Sequence, residues 1–318
     1  MAESYNTLAG LVQFNDKNLA DLEITDLLDD APLLAIMHAQ SASNGTQHKY
    51  LKQTTASSAA FRAALAGLTK TASADTLVTD TLAILDGSFA TDVALADAFK
   101  GGRDAWLQLE LRRTMKQVFA VAEKQVIYGT GNDASGFAGL VDDGQLDALA
   151  DTMVTTASGS NTDTQTSCFV LRHGQNDCSF ILGNEGNIVV EDDATIIEKI
   201  VNPGTDNKTY PALYVPVTGY AGFQIGGAYS AARIANIECN DLTSTSAFND
   251  DHIGAAISLF PAGRKPNVIV MNRSAERMLR QSRTAVTATG APAPFANEAY
   301  GIPIVVTDQI VSTEAVEV

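Results

Sequence analysis

The sequence predicts an α+β fold: an arm, an extended loop, one long helix with an antiparallel sheet, and a smaller α/β unit. Three observations carry this. From Asp92 to Tyr128 apolar residues recur at steps of three or four, the period of one helix face. Beyond residue 166 short segments rich in β-branched and aromatic residues alternate with turn residues, as in antiparallel sheet. Between arm and helix, residues 41–76 are rich in Ser, Thr, Ala and Gly and hold few large apolar side chains.

The elements follow in order. Residues 1–43 read as an arm with one short helix, in which Leu22, Leu27, Leu28, Leu33 and Leu34 lie near helical spacing until Pro32 interrupts. Residues 41–76 could not bury a core alone, so they read as a two-stranded excursion standing off the body. "TLVTDTLAIL", 76–85, returns as a strand. The long helix over 92–128 has Thr91 or Asp92 as N-cap, Gly129 as terminator, and a point of kinking or splitting at Gly101-Gly102. Strands are predicted at 166–174, 179–183, 186–191, 213–227 and 230–238. A helix (249–260), a strand (265–272), a helix (273–283), a mobile loop and a closing strand (300–310) complete the chain as an α/β unit of its own.

Composition narrows the function. A chain of 318 residues, 45% hydrophobic, can pack a sizeable core. A formal charge of −16 argues against a dedicated nucleic-acid binder, which needs cations to displace counterions. Cys168, Cys178 and Cys239 match no zinc spacing and read as buried free thiols of a reducing compartment. Met1 to Gly10 lacks a basic start and an apolar core, and no apolar run reaches the length of a membrane span, so a cytoplasmic chain is expected.

The stretch "IYGTGNDASGFAGL", 127–140, fits the G-x-G-x-x-A form of a dinucleotide loop at Gly129 to Ala134. Such a loop leaves a strand and opens a helix, so that phosphate meets positive partial charge. This one leaves a helix and faces its negative C-terminus, which suits a helix stop and tight turn instead.

Other chemistry is scarce. No nucleophile elbow, zinc-protease motif or P-loop is present. His38, His48, His173 and His252 lie far apart, and the acidic pairs at 29–30, 142–143, 192–193 and 250–251 read as solvated surface. Neither a catalytic residue, a cofactor nor a metal is expected. Arg273, Arg277, Arg280 and Arg283 form one basic stripe on the predicted helix, either a solvated face or an interface to a neighbouring subunit. Lys49 and Lys52, beside His48 and Tyr50, either protect a strand edge or meet a partner.

The order of arm, Ser/Thr/Ala-rich loop, long helix and "VIYGTGNDASGFAGL" closely resembles major capsid proteins of tailed phages of the Hong Kong ninety-seven type. Ile127-Tyr128-Gly129 and Gly139-Leu140 match that family's spine-helix terminus. "NGTQHKY" (44–50) with Phe61-Arg62 resembles its extended loop, and "ARIANIE" (232–238) its R-I-A-N-I strand. "VMNRSAERML" (270–279) and "GIPIVVTDQI" with Glu314 resemble its strand-to-helix segment and closing strand. The resemblance covers essentially the whole chain. It implies an N-terminal arm at 1–43, an extended loop at 44–80, a peripheral domain at 81–238 with the spine helix, and an axial domain at 239–318 with rearranged topology. It also implies pentamers and hexamers tiling an icosahedral shell around packaged double-stranded DNA. Partners would be a separate scaffolding protein, a portal and a decoration protein, with no membrane. Lys49, Tyr50, Lys52, Phe61, Arg62, Arg273, Arg277 and Arg280 are the expected intersubunit contacts. Two alternatives accompany it: an encapsulin-like nanocompartment shell of the same fold, and a nucleotide-dependent enzyme using the glycine loop.

Overall fold

The computed structural model describes residues 8, 13–14, 24–55, 59–67, 72–144, 146–190, 195–201, 208–239, 248–285 and 291–317. Leu22 and the acidic pair 192–193 lie outside them.

The described helices are α1 (Ile24–Leu27), α2 (Pro32–Ile36), α3 (Val93–Ala98), α4 (Arg103–Tyr128), α5 (Asp250–Ser258) and α6 (Arg273–Ala285). The strands are β1 (Gln13–Phe14), β2 (Ala39–Ser41), β3 (Gln47–Thr55), β4 (Ala74–Thr81), β5 (Ala83–Asp86), β6 (Phe89–Asp92), β7 (Val154–Thr156), β8 (Gln165–Leu171) and β9 (Cys178–Leu182). Then come β10 (Asn187–Val190), β11 (Thr195–Val201), β12 (Lys208–Val215), β13 (Val217–Ile225), β14 (Ala231–Glu238), β15 (Val268–Met271), β16 (Glu298–Ala299) and β17 (Ile302–Val306).

Pro32 begins a helix rather than ending one. It occupies the first turn of α2, where its missing N–H costs nothing, so among the described residues it opens a second short helix after α1. The long predicted helix divides where the paired glycines stand. Asp92 caps α3 by accepting from the Ala94 N–H at 2.8 Å. The chain then extends through Phe99, and Gly102, at φ 85°, opens α4. Trp106 bridges the break: its Nε1 donates to Thr91 Oγ1 at 3.0 Å and its ring meets Phe99 at 5.3 Å. The remaining 26-residue helix is about 39 Å long at 1.5 Å per residue. Leu111, Met115, Phe119, Ala122 and Val126 form its buried stripe.

Two six-stranded sheets form the body, ordered β1-β10-β13-β9-β2, with β5 also on β13, and β16-β17-β15-β8-β14-β7. Both mix parallel and antiparallel pairs. Strands β8, β9, β14 and β15 are buried along their whole length, which requires cover on both faces. A smaller sheet runs β11-β12-β6. The single strand expected at 213–227 is two: Pro216 separates β12 from β13, and the halves join different sheets. β11, "TIIEKIV", was not among the expected strands. The expected boundary between residues 238 and 239 crosses the second sheet. The apolar β15 pairs β17 on one side and needs β8 on the other, so the C-terminal α/β unit shares its sheet with earlier strands.

The excursion is the antiparallel hairpin β3–β4, paired from Gln47↔Thr81 outward. Its root is fixed to the first sheet. His48 Nε2 lies 2.7 Å from Gln224 Oε1, and Gln40 Nε2 donates to the same oxygen at 2.8 Å. Ser43 N–H donates to His48 Nδ1, so the neutral ring presents its proton at Nε2.

Candidate assembly surface and buried polar cluster

Strand alternation divides the hairpin's side chains between two faces. His48, Tyr50 and Lys52 share the face of Asp80. Tyr50 hydrogen-bonds that carboxylate, whose pKa burial nonetheless raises, against the lowering influence of Tyr50, His48 and Lys52. Lys49 and Leu51 share the other face, where Leu51 pairs directly with Leu77; these leucines are 68% and 58% exposed. Further out, Phe61 and Leu65 are fully exposed, and Arg62 donates to its local Ala66 carbonyl at 3.2 Å. Apolar side chains held away from the core are an unfavourable arrangement for a solitary subunit and a favourable one for a surface awaiting cover.

The arginine stripe is engaged within the chain. Arg273 pairs with Asp308 at 2.7 Å, Arg277 donates to the Cys239 carbonyl at 3.3 Å, and Arg283 grips Asp250 through two nitrogens. Arg280 donates to the Ala293 carbonyl at 2.7 Å and lies 4.4 Å from the Phe295 ring centre. The described part of the loop expected to be mobile is therefore tied to α6. Arg273 and Arg277 stay exposed after these bonds.

The glycine loop holds an anion, and the anion is its own. Asp142 Oδ2 accepts from the Thr130 N–H at 2.7 Å and the Gly139 N–H at 3.1 Å, while Oδ1 accepts from the Thr130 hydroxyl. Gln125 of α4 donates to the carbonyls of Asp133 and Phe137, and Leu140 N–H caps the Val126 carbonyl at 2.8 Å. The loop thus folds back over the helix terminus and satisfies it. Gly129 sits at φ 51°, and a Cβ there would fall 1.8 Å from Asp142 Oδ2. At Gly139 a Cβ would fall 2.5 Å from the Gly129 nitrogen. Gly131, central to the dinucleotide pattern, faces open space.

The segments that carry the family resemblance converge on one buried polar cluster, which reading the sequence did not assemble. Tyr128 donates to Glu314 Oε1 at 2.5 Å and accepts from the Val311 N–H at 3.0 Å. Arg233, 2% exposed, reaches Ser167 Oγ, the Leu146 carbonyl, Glu317 Oε1 at 2.8 Å and Glu314 Oε2 at 3.4 Å. Asn236, at φ 57° in a bulge of β14, exchanges two hydrogen bonds with the Glu317 backbone. Asn272 caps α6 through the Ala275 N–H and donates to Thr166 and Ser312 hydroxyls. Burial and the Glu314 charge push the Tyr128 phenol far above its usual range, so it remains a donor. The C-terminal segment is thereby strapped to the spine-helix end, β14 and α6.

A second buried carboxylate joins distant parts. Glu123 of α4, wholly buried, accepts from the Leu33 and Leu34 N–H groups at 2.9 and 3.1 Å and so caps α2, whose N-cap position holds Ala31. Its other oxygen accepts from Thr307. Burial raises its pKa to about 7, against the lowering effect of those hydrogen bonds.

Cys168, Cys178 and Cys239 are buried thiols that form no disulfide among the described residues. Among the described residues no group of three or more His, Cys, Asp or Glu could hold a metal ion, and no helix is long and apolar enough to cross a membrane.

A family model described as "Major capsid protein GP7" matches residues 16–318. The structure is similar to a chain of the bacteriophage Epsilon15 structure at TM-score 0.61 and 17% identity, covering 87% of this chain and 86% of that one. It is also similar to the bacteriophage JBD30 capsid at TM-score 0.50 and 10% identity, covering 94% and 95%. The SrpI encapsulin of Synechococcus elongatus reaches 0.44, too low to support the nanocompartment alternative. No curated sequence matches the chain. The fold is that of Hong Kong ninety-seven type phage capsids, as the resemblance implied. A family match over nearly the whole length, on that fold, makes this chain a member of the major capsid protein GP7 family and a capsid shell protein.

Proposed function

We propose that the chain assembles with itself, as pentamers and hexamers, into the icosahedral shell of a tailed phage, around double-stranded DNA held without sequence-specific contacts. Assembly takes place in the host bacterial cytoplasm, with a separate scaffolding protein and a portal, and the finished shell accepts a decoration protein. The observation that carries this is the hairpin: it is joined to the first sheet through His48 at its root and presents Leu51, Leu77, Phe61 and Leu65 to solvent. Such a surface gains free energy when a neighbouring subunit covers it. Lys49, Tyr50, Lys52, Phe61 and Arg62 contact that neighbour. The exposed Arg273 and Arg277, with Arg280, form a second contact around the five- and six-fold centres. The chemistry is non-enzymatic; the glycine loop, filled by Asp142, acts as a helix stop.

Negative-stain electron microscopy with light scattering tests the proposal. Closed shells, or rings of five and six subunits, are expected. A small monomer unchanged by concentration or salt would overturn it.

A further inference from the structure

We propose that a cleft at the hairpin root receives an acidic segment of a second copy of this chain, an inference that deepens and rests on the shell-forming reading. The cleft measures about 720 Å³ and is formed where β3 meets the β8–β9 turn, the β13–β14 turn and the loop before β15. Lys49, Arg172 and Arg264 line it, against one carboxylate, Asp177. That carboxylate is already committed: it pairs with Arg172 Nε at 3.0 Å and accepts from the Ser230 hydroxyl at 3.2 Å.

The cations retain capacity. Lys49 and Arg264 are exposed and form no ion pair among the described residues. Arg172 adds positive charge to the cleft wall while its Nε holds Asp177; its buried Nη1 has no hydrogen-bond partner. Leu51 and Tyr229, 68% and 43% exposed, supply apolar area beside the charges.

A positive cleft on a chain of formal charge −16 is complementary to the rest of that chain's surface. A second copy carries exposed carboxylates, among them Asp30 in the turn between α1 and α2. A shell protein must in any case meet its own copies. The same acidity opposes nucleic acid as the occupant, since a phosphate backbone approaching the cleft meets a repulsive surface.

The test is assembly of the full chain without DNA, comparing wild type with the double variant Lys49→Glu/Arg264→Glu. The concentration needed for shells should rise at least ten-fold. The melting temperature of the unassembled subunit should not change, because both side chains are exposed. The charge-conserving pair Lys49→Arg/Arg264→Lys should assemble as wild type does. Zero-length carbodiimide cross-linking of shells mixed from isotope-labelled and unlabelled chains should join Lys49 to a carboxylate of another chain.

Shells of the charge-reversed variant at the wild-type concentration would overturn the inference while leaving the shell reading intact. That result would also be expected if the cleft holds DNA. Cross-links from Lys49 confined to its own chain would likewise overturn it. A small monomer, with neither shells nor rings of five and six subunits, from the unaltered chain would overturn both readings.

Discussion

The hairpin and the cluster around Arg233 spend the same kinds of residue in opposite ways. In the cluster, Arg233 and Asn236 are buried and Tyr128 and Glu314 partly buried, and each of these charged or polar groups finds partners within the chain. On the hairpin, Leu51, Leu77, Phe61 and Leu65 are apolar yet exposed, and the chain supplies no cover. Buried polar groups are costly unless paired, so the cluster constrains how one subunit folds. Exposed apolar groups gain only when covered, so the hairpin constrains what the subunit meets. Folding and assembly are thereby assigned to different residues of one chain.

That separation can be broken most forcefully at Arg233. Arg233→Met strands Glu314 and Glu317 beside Tyr128, and should cost about 3–5 kcal/mol of folding stability. Denaturant unfolding measures this, and assembly should be lost only because the subunit unfolds. Next is Gly129→Ala. The positive φ alone costs about 1–3 kcal/mol, and the new Cβ displaces Asp142. Gly131→Ala, two residues further on but in open space, should stay within about 0.5 kcal/mol of wild type. Equal losses at the two glycines in thermal melts would contradict the helix-stop account.

Glu123 sharpens the comparison through pH. Its folded pKa, about 7, lies above the ordinary 4.5, so between those values the native state binds more protons than the unfolded state. Its contribution is therefore fully present below pH 4.5 and falls as pH rises towards 7. The whole window is worth roughly 3 kcal/mol. Glu123→Gln removes the titration while keeping an acceptor for the α2 amides. The melting temperature of the variant relative to wild type should accordingly rise between pH 5 and pH 8. A pH-independent difference would assign the carboxylate no titration in this range.

Much of the fold was legible because its signals are local. The helix stripe from Leu111 to Val126, the Asp92 cap and the split at Gly101-Gly102 follow from spacing and backbone chemistry within a few residues. The hairpin was legible from its scarcity of large apolar side chains, too few to bury a core of its own. The polar cluster was not, because its members lie up to 186 residues apart and only the chain path joins them. Tyr128, Arg233, Asn236 and Glu314 were visible as pieces of a family resemblance, and nothing in the sequence alone said that they touch. Pro32 misled for another reason: the same residue that ends one helix is well placed to begin the next. The arginine stripe was correctly placed on one helix, but its partners Asp308, Asp250 and the Ala293 carbonyl come from distant segments.

The smallest expected effect on folding tests the central claim most directly. Phe61→Ser/Leu65→Ser alters only fully exposed side chains, so folding stability should remain within about 0.5 kcal/mol of wild type. Melting and electron microscopy on the same preparation are the decisive measurement. The account predicts an unchanged melt of the subunit together with loss of closed shells. Normal shells, or a subunit that no longer folds, would contradict it.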